Sequence, residues 1–364
     1  MKSRNSYVEI NIDNYYSNLD YIKNKVNTEI MAVVKSNAYG CGLLEMTEYA
    51  MEKGVKRFAV AFFEEAQEIF SNKLECEILI LNYLDENNFI EAVTNGFRIT
   101  LYSYEQIIGY YEKDKTLFKK AKYHLYLNTG MNNIGCDEEE AEMIIKFLNE
   151  KNVFLEGIYS HFSSADSDDE FTLKQYICFK DFIEKQILKG IDFKEKHISN
   201  SAAIIKYGNR FECDYVRSGM ALYGLQPEIS INNNNIKNVI TWKSIVAKTR
   251  YLKSGDRISY GKNYIAEKDI KIAVIPIGYG DGYKMAASNR GYVLINGRRC
   301  NIRGMVCMDQ ITVECDDTVK NGDEVILIGE GIRAEEVAAF SNTIADDIVC
   351  SVSNKIPRIY KKKS

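Results

Sequence analysis

Short apolar runs alternate with amphipathic stretches over roughly the first 220 residues of the chain. Eight of the runs have the length and composition of strands, namely residues 30–34, 57–62, 77–81, 97–101, 123–127, 155–159, 195–199 and 214–217. The stretches between them show helical periodicity, which is clearest in residues 14–26 and 137–150. Eight strand–helix alternations predict an α/β fold with a closed parallel (β/α)8 TIM-like barrel. An open doubly wound sheet has a similar count and is the main alternative.

The pattern changes after Pro227. Residues 229–238 are rich in Asn and Ile, which indicates a linker or a surface loop. Six strands are predicted beyond it, at residues 244–251, 271–277, 292–295, 301–306, 311–314 and 324–328, with helices only near 333–340 and 342–350. We therefore predict a barrel domain over residues 1–235 and a mostly β C-terminal domain over residues 236–364.

The composition is that of an ordinary globular protein, with 46% hydrophobic and 27% charged residues among 364. The formal net charge of -4 gives no reason to expect nucleic-acid binding. Nine cysteines without a CxxC pair indicate reduced thiols, and three histidines without ligand spacing predict no metal site. No apolar run reaches the roughly 20 residues that span a bilayer. We expect a cytoplasmic protein without membrane contact, although a membrane anchor in a longer parent chain stays open.

Chemically distinctive side chains follow the ends of predicted barrel strands, where the active sites of barrels lie. Lys35 follows the first strand, His161 the sixth, Asn200 and Ser201 the seventh, and Arg217 ends the eighth. Each has an ordinary explanation by itself: a solvated lysine, a buried histidine, a helix cap or half of an ion pair. Together they offer an amine that attacks aldehydes, an anion site at a helix start and a cation. A phosphorylated aldehyde cofactor requires this combination.

Seven motifs resemble, in order, those of the alanine racemase family of fold type III pyridoxal-phosphate enzymes. They occupy residues 32–40, 160–166, 200–203, 216–224, 259–261, 276–283 and 307–310, and include A-V-V-K-S-N-A-Y-G, S-H-F-S-S-A-D, N-S-A-A and S-Y-G. The resemblance runs from about Tyr7 to Tyr360. It implies a barrel plus a β-rich domain, and a homodimer in which each active site is shared between the subunits.

The resemblance also implies roles for individual residues. Lys35 would carry pyridoxal 5'-phosphate covalently and act as one catalytic base. Tyr260 of the partner subunit would be the second base, on the opposite face of the substrate. The cofactor would further contact Tyr39, His161, Asn200, Ser201, Arg217, Asn354 and the amides of Gly219 and Met220. The substrate would be placed by Asn133, Tyr279, Met308, Asp309 and Asn354.

Arg217 would hydrogen-bond to the pyridine nitrogen of the cofactor. A guanidinium stays protonated at any relevant pH and can only donate, so the ring nitrogen would remain unprotonated. The ring would then be a weaker electron sink, which favours proton exchange over transamination and elimination. His161 would link Arg217 to Tyr260 and tune the phenol toward phenolate.

Asn354 stands where the family usually has a tyrosine that packs beside the substrate and reaches the phosphate. This asparagine resembles the serine/alanine racemase domains of vancomycin-resistance systems, whose full-length members carry a membrane segment. Its amide could meet a substrate hydroxyl. We hypothesise a racemase of L-serine and L-alanine that supplies D-amino acids for cell-wall precursors. The alternative is a housekeeping alanine racemase with little serine activity.

Two further positions depart from the family pattern. Tyr126 replaces a lysine that is often carbamylated, and Asn133 replaces the arginine that this lysine orients near the substrate. The paired loss predicts weaker binding of small carboxylic acids than the family usually shows. Basic amino-acid decarboxylases share the architecture, but their Gly-rich phosphate loop and cysteine-containing acid site are not evident. A pyridoxal-phosphate carrier without racemase activity is a third class, and such proteins are usually single barrels.

Overall fold

The computed structural model describes residues 5–227 and 233–363. Its internal contacts form two compact units. The barrel unit comprises Leu19–Ala38 and Leu43–Leu222, and the β-rich unit comprises the residues up to Asn18, Tyr39–Gly42 and the residues from Tyr223 onward. The domain division at residue 235 stays a prediction, whereas the contacts group the N-terminal residues with the β-rich unit. Residues 229–232 of the linker predicted at 229–238 lie outside the described residues.

Strand β1 (Tyr7–Asn11) and helix α1 (Ile12–Lys25) begin the described chain. Eight parallel strands then form the barrel: β2 (Glu29–Val33), β3 (Arg57–Val60), β4 (Glu77–Ile80), β5 (Arg98–Leu101), β6 (Lys122–Tyr126), β7 (Leu155–Tyr159), β8 (Glu195–His197) and β9 (Tyr215–Ser218). They pair in the order β8-β7-β6-β5-β4-β3-β2-β9. The Arg217 amide also donates to the carbonyl of Ser199 at 2.9 Å, which joins the two edges. The barrel prediction is confirmed, and the open-sheet alternative is wrong.

Helices cover the barrel between its strands. They are α2 (Leu43–Glu52), α3 (Phe63–Ser71), α4 (Glu86–Thr94), α5 (Tyr104–Lys113), α6 (Lys115–Phe118), α7 (Glu138–Glu150), α8 (Asp169–Leu188) and α9 (Ser201–Tyr207). The predicted helix at 137–150 is α7, with Asp137 at its N-cap and three glutamates in its first turn. Among the described residues, no helix is both long and apolar enough to cross a membrane.

The β-rich unit contains β1 and the later strands. These are β10 (Ile240–Ile245), β11 (Lys248–Leu252), β12 (Arg257–Ile258), β13 (Tyr264–Ile265), β14 (Ile270–Ile275), β15 (Tyr292–Ile295), β16 (Arg298–Asn301), β17 (Ile311–Cys315), β18 (Glu324–Ile328) and β19 (Arg358–Lys361). They form a six-stranded sheet in the order β16-β15-β18-β10-β1-β19, a three-stranded sheet β11-β14-β17 and the pair β12-β13. Two short helices, α10 (Ala334–Ser341) and α11 (Ala345–Cys350), confirm the helices predicted near the end.

The single strand predicted at residues 244–251 is wrong. β10 and β11 belong to different sheets, because Val246 donates its amide to Asp323 whereas Ala247 donates to Val274. The strand predicted at 301–306 is also displaced, since β16 ends at Asn301. Strand patterns show which residues extend, but not where the chain passes from one sheet to the next.

Candidate active site

Lys35 lies at the start of an unusual turn that follows β2. Residues 36–39 all have positive φ, between 51° and 55°, so the turn is left-handed. Such a conformation costs about 1–2 kcal/mol per non-glycine residue. Two side chains stabilise it: Glu65 accepts the Ser36 amide at 2.6 Å, and Asn37 accepts the first amide of α2 at 2.8 Å. The backbone next to Lys35 is therefore held by its neighbours in the barrel unit.

The Lys35 side chain is half-buried. None of the residues in the described parts of the chain makes a hydrogen bond or an ion pair to its amine. Its positive charge is close enough to His161 to affect that imidazole. Burial, with the charges of Arg217 and Lys35, lowers the pKa of His161 to about 3. His161 is therefore neutral at physiological pH.

Arg217 is a buried cation that contacts no carboxylate in the described parts of the chain. Its Nη1 and Nη2 donate to His197 Nδ1 at 2.6 Å, His161 Nδ1 at 3.2 Å and the carbonyls of Ser160, His197 and Ile198. The guanidinium also lies 5.1 Å from the centre of the Tyr159 ring. Burial lowers the pKa of Arg217. Among the described residues no acceptor faces Nε, so one N–H of the guanidinium can serve another group.

His161 and Asn200 meet near Arg217, but their contact is not a hydrogen bond. A guanidinium can only donate, so His161 Nδ1 accepts and the single imidazole proton lies on Nε2. The Asn200 amide nitrogen is 3.4 Å from Nε2, and both of these atoms are donors. Asn200 instead donates to the Phe162 carbonyl at 3.0 Å and accepts the Ala203 amide at 3.0 Å, which caps α9.

Ser201 binds two amides of the segment that follows β9. Its buried Oγ accepts the Gly219 amide at 3.0 Å and the Ala221 amide at 3.4 Å. The hydroxyl proton is then free to donate. Met220 opens the 3-10 turn Met220–Tyr223, where the first amides lack partners within the turn. The Gly219 and Ala221 amides are thus bound by Ser201, and the Ser201 hydroxyl and the Met220 amide remain as donors to an anion.

Three of the sequence motifs converge within the β-rich unit. Tyr260 begins a short 3-10 turn and is 74% exposed. Its neighbour Ser259 lies 3.3 Å from Cys307 Sγ, and the Tyr279 amide donates to the Cys307 carbonyl at 2.9 Å. A Cβ at position 278 would lie 2.2 Å from that carbonyl, so only glycine allows this approach. Residues 259–261, 278–283 and 307–309 therefore form one cluster.

Tyr39 and Asn354 lie in the β-rich unit. The Tyr39 ring stacks on Tyr223 with centroids 4.8 Å apart, and burial raises the pKa of its phenol. Asn354 lies in an exposed turn after α11, where the preceding Ser353 amide donates to the Asp281 carbonyl at 3.0 Å. Asn354 therefore neighbours the motif at 276–283.

Tyr126 and Asn133, which the resemblance predicts to replace a lysine and an arginine, contact each other. Burial raises the pKa of Tyr126, while a hydrogen bond from the Asn133 side chain lowers it. The Tyr126 ring stacks on Tyr159 at 4.5 Å, and Tyr159 stacks in turn on His197 at 4.9 Å. Tyr126 therefore belongs to an aromatic stack in which Tyr159 also contacts the Arg217 guanidinium.

The predicted site residues divide between the two units. The barrel unit brings together Lys35, His161, Asn200, Ser201, Arg217, Gly219 and Met220, and also holds Asn133. The β-rich unit holds Tyr39, Tyr260, Tyr279, Met308, Asp309 and Asn354.

One cluster in the barrel was missed by the sequence analysis. One ligand atom each from His124, Glu156 and Glu195 lies within 4.8 Å of the others. The three come from three different strands, so no spacing could reveal them. The available signal was the presence of charged side chains in strands predicted to be buried, where such residues are rare unless paired.

The donors of the barrel unit fit pyridoxal phosphate. The Lys35 amine carries no carboxylate partner among the described residues and suits an aldehyde. The Ser201 hydroxyl and the Met220 amide suit a phosphate, because hydroxyls and turn amides donate to anions, whereas the Gly219 amide holds Ser201 in place. The remaining N–H of Arg217 suits a ring nitrogen that accepts.

Comparisons with known proteins agree with this site. A family model described as alanine racemase, N-terminal domain, matches residues 10–227, and its C-terminal counterpart matches residues 239–360. The chain is 36% identical to the alanine racemase of Clostridium kluyveri over 380 residues, which cover 99% of this chain and 95% of that protein.

Solved structures give the same result. Alanine racemase from Bacillus anthracis with bound L-Ala-P superposes with a TM-score of 0.93 at 33% identity, covering 100% of this chain and 96% of that one. Alanine racemase from Clostridium difficile 630 gives a TM-score of 0.92 at 34% identity, covering 99% and 97%. This chain therefore belongs to the alanine racemase family, whose enzymes depend on pyridoxal phosphate.

Proposed function

We propose that the protein is a pyridoxal-phosphate-dependent racemase that interconverts L- and D-alanine. Lys35 and Tyr260 of the partner subunit act as its two bases. The observation that carries the proposal is the surroundings of Lys35 and Arg217. A half-buried amine without a carboxylate partner and a cation held only by neutral acceptors, both among the described residues, occupy the end of one barrel. The names of the relatives support alanine as the substrate.

Proton exchange at Cα needs a base on each face of the amino acid. The cofactor, when bound, makes the Cα proton acidic. Lys35 Nζ takes or returns the proton on one face, and Tyr260 Oη does so on the other. A single base could invert the centre only by turning the substrate around, which explains the use of two.

Arg217 restricts the reaction to proton exchange. Its guanidinium only donates, and the pKa of the adjacent His161, at about 3, leaves no second acid beside it. A ring nitrogen bound here stays an acceptor. An unprotonated ring withdraws electrons less strongly than the protonated ring that favours transamination.

We further propose a homodimer with shared sites. Large side chains of the β-rich cluster are exposed, including Tyr260 at 74%, Met308 at 61% and Tyr279 at 43%. Exposed clusters of this kind mark interaction surfaces. Mixing Lys35→Ala and Tyr260→Phe subunits tests the arrangement, since a hybrid dimer rebuilds one intact site. We expect recovery of up to about a quarter of wild-type activity for random pairing of a two-fold dimer. Mixtures no more active than either parent would contradict shared sites.

Serine is the second proposed substrate, and Asn354 supports it. Its side-chain amide, next to the motif at 276–283, could bind the hydroxyl of serine. Even an apolar pocket would favour alanine over serine by only about 100-fold, so a single hydrogen bond can change the preference. Comparing kcat/KM for L-serine and L-alanine in wild type and Asn354→Tyr tests this. We expect the serine-to-alanine ratio to fall in the variant. If this ratio is the same in wild type and Asn354→Tyr, the remaining interpretation is a housekeeping alanine racemase with little serine activity.

The proposed role is supply of D-amino acids for cell-wall precursors, with a link to vancomycin resistance proposed from Asn354 alone. Formation of D-alanine from L-alanine separates this function from a carrier or a decarboxylase. A carrier would bind the cofactor without producing D-alanine, and a decarboxylase would release carbon dioxide.

A further inference from the structure

A line of buried side chains runs from Arg217 to the opposite end of the barrel. Arg217 Nη1 donates to His197 Nδ1 at 2.6 Å, and His197 Nε2 lies 3.0 Å from His124 Nδ1. His124 Nε2 then lies 3.4 Å from carboxylate oxygens of both Glu156 and Glu195. Both histidines are completely buried.

The strands are built to hold His124 at this place. Gly157 lies opposite His124 in the pairing of β6 with β7, and opposite Glu195 in the pairing of β7 with β8. A Cβ at Gly157 would lie 2.6 Å from the His124 ring. The glycine therefore leaves the space that the imidazole occupies.

The hydrogen bonds of this line can point in only one direction. Arg217 has no lone pair to offer, so His197 Nδ1 must accept. Burial and the charge of Arg217 lower the pKa of His197, so its one proton lies on Nε2. That proton faces His124 Nδ1, which must accept in turn. His124 then carries its proton on Nε2, which lies 3.4 Å from a carboxylate oxygen of Glu156 and of Glu195 without a hydrogen bond to either, so the two negative charges favour the proton there by electrostatics alone.

The carboxylates at the far end remain ionised. Burial alone would raise the pKa of Glu195, but His124 and Arg57 outweigh it and bring the pKa to about 2. His124 and Arg98 likewise outweigh burial and lower the pKa of Glu156. Arg98 Nε lies 2.9 Å from Glu156, and Arg57 pairs with Glu195. These guanidinium groups occupy the oxygens that a metal cation would need.

We propose that His124 is a positioning residue for Arg217, acting through His197, and that Glu156 and Glu195 fix its proton on Nε2. A His124 with its proton on Nδ1 would place two protons between the rings, facing the N–H at His197 Nε2, and would release His197. His197 could then turn and withdraw its acceptor from Arg217. The ion pairs at the far end of the barrel thereby hold the arginine that faces the cofactor ring. The catalytic consequence rests on the proposed function, whereas the direction of the hydrogen bonds does not.

Nitrogen NMR of the holoenzyme tests the hydrogen bonds directly, because the chain has only three histidines. Protein labelled with 15N-histidine should show three rings with a single proton each, on Nε2, and the signals of His161 and His197 should not change from pH 6 to pH 9. The variants His124→Asn and His161→Gln assign the signals. A doubly protonated His124, or one with its proton on Nδ1, overturns the proposal. This result is independent of whether the enzyme racemises alanine.

Variants at His124 test the effect on Arg217. His124→Asn keeps an acceptor oxygen near the position of Nδ1, whereas His124→Leu removes it. Tyr123→Phe is the matched control, since Tyr123 is also buried on β6, but among the described residues its hydroxyl donates only to the Phe118 carbonyl. We expect kcat to fall about tenfold or more in His124→Leu, while His124→Asn and Tyr123→Phe stay within about threefold.

A second readout separates positioning from stability. In His124→Leu the His197 proton should leave Nε2 or exchange between the two nitrogens, which loss of stability alone would not cause. A His124→Leu enzyme that keeps both the wild-type kcat and the His197 proton on Nε2 overturns the proposal. If His124→Leu does not fold, the spectrum of the wild-type holoenzyme and the kcat of His124→Asn decide.

Discussion

The guanidinium of Arg217 donates to Nδ1 of His161 across 3.2 Å, and neither group contacts a carboxylate among the described residues. The imidazole is therefore an acceptor toward Arg217 and keeps its proton on Nε2. Burial, with the charges of Arg217 and Lys35, brings the pKa of His161 to about 3. The folded barrel therefore keeps His161 neutral beside the Arg217 cation.

His161 should make stability depend on pH. Its pKa is about 3 in the folded protein and 6.5 in a free side chain, so between these values the unfolded chain binds a proton that the folded chain does not. Stability therefore falls as the pH drops from 6.5 toward 3. His161→Gln should make this slope shallower by about 1.4 kcal/mol per pH unit. Urea unfolding at a series of pH values measures it, and parallel curves for the two proteins would refute the assignment.

Glu195 should contribute to stability at neutral pH. Because its pKa is lowered from 4.5 to about 2, the contribution is complete above pH 4.5 and is lost as the pH falls toward 2. Glu195→Gln should cost about 3–5 kcal/mol at pH 7, since it leaves a buried charge with one partner fewer. The difference from wild type should narrow in acid. The exposed pair Lys253–Asp269 provides the control, and Asp269→Asn should have no measurable effect on chemical denaturation.

Gly278 should tolerate no side chain. A Cβ there would lie 2.2 Å from the Cys307 carbonyl, whereas one at Gly280 would meet the Met308 carbonyl at 2.9 Å. Gly278→Ala should lower the free energy of unfolding by roughly 1–3 kcal/mol and reduce racemisation, because Tyr279 and Met308 must move apart. Gly280→Ala should do less in both assays. Equal effects of the two substitutions would show that the backbone approach is not the cause.

Asn133 and Tyr126 should set the affinity for small carboxylic acids. They hydrogen-bond to each other at the positions where the family resemblance leads us to expect an arginine and a lysine. The double variant Tyr126→Lys, Asn133→Arg should bind propionate more tightly by about tenfold, since a charge-assisted hydrogen bond contributes about 1.5–3 kcal/mol. Inhibition constants for racemisation give the measurement. Tyr126→Phe serves as control, and no gain in the double variant would contradict the prediction.

Much of the fold was predictable because barrel strands are buried on both faces and appear as short apolar runs. All eight were found, with every end within two residues of the observed one and the strand at 155–159 placed without error. β1 was missed, because it joins α1 directly, with no turn residues between Asn11 and Ile12 to separate strand from helix. Its partners β10 and β19 lie at the other end of the chain, and no local pattern indicates such pairing.

The candidate site could be predicted only in part. The motifs indicated Lys35, Ser201 and Arg217, but not the hydrogen bonds that hold them. Glu65, which accepts the Ser36 amide next to Lys35, lies on α3 and belongs to none of the seven motifs. His124 and Glu195 come together through strand register around Gly157, which depends on the folded barrel rather than on sequence spacing.

Racemisation of L-alanine in deuterium oxide tests the central claim most directly. Two bases on opposite faces remove one hydrogen and return another from solvent, so D-alanine from the first turnover should carry deuterium at Cα. Wild type should show this label, while Lys35→Ala and Tyr260→Phe should lose activity by roughly 100-fold or more. Product that keeps its original hydrogen, or the absence of any D-alanine, would contradict the account.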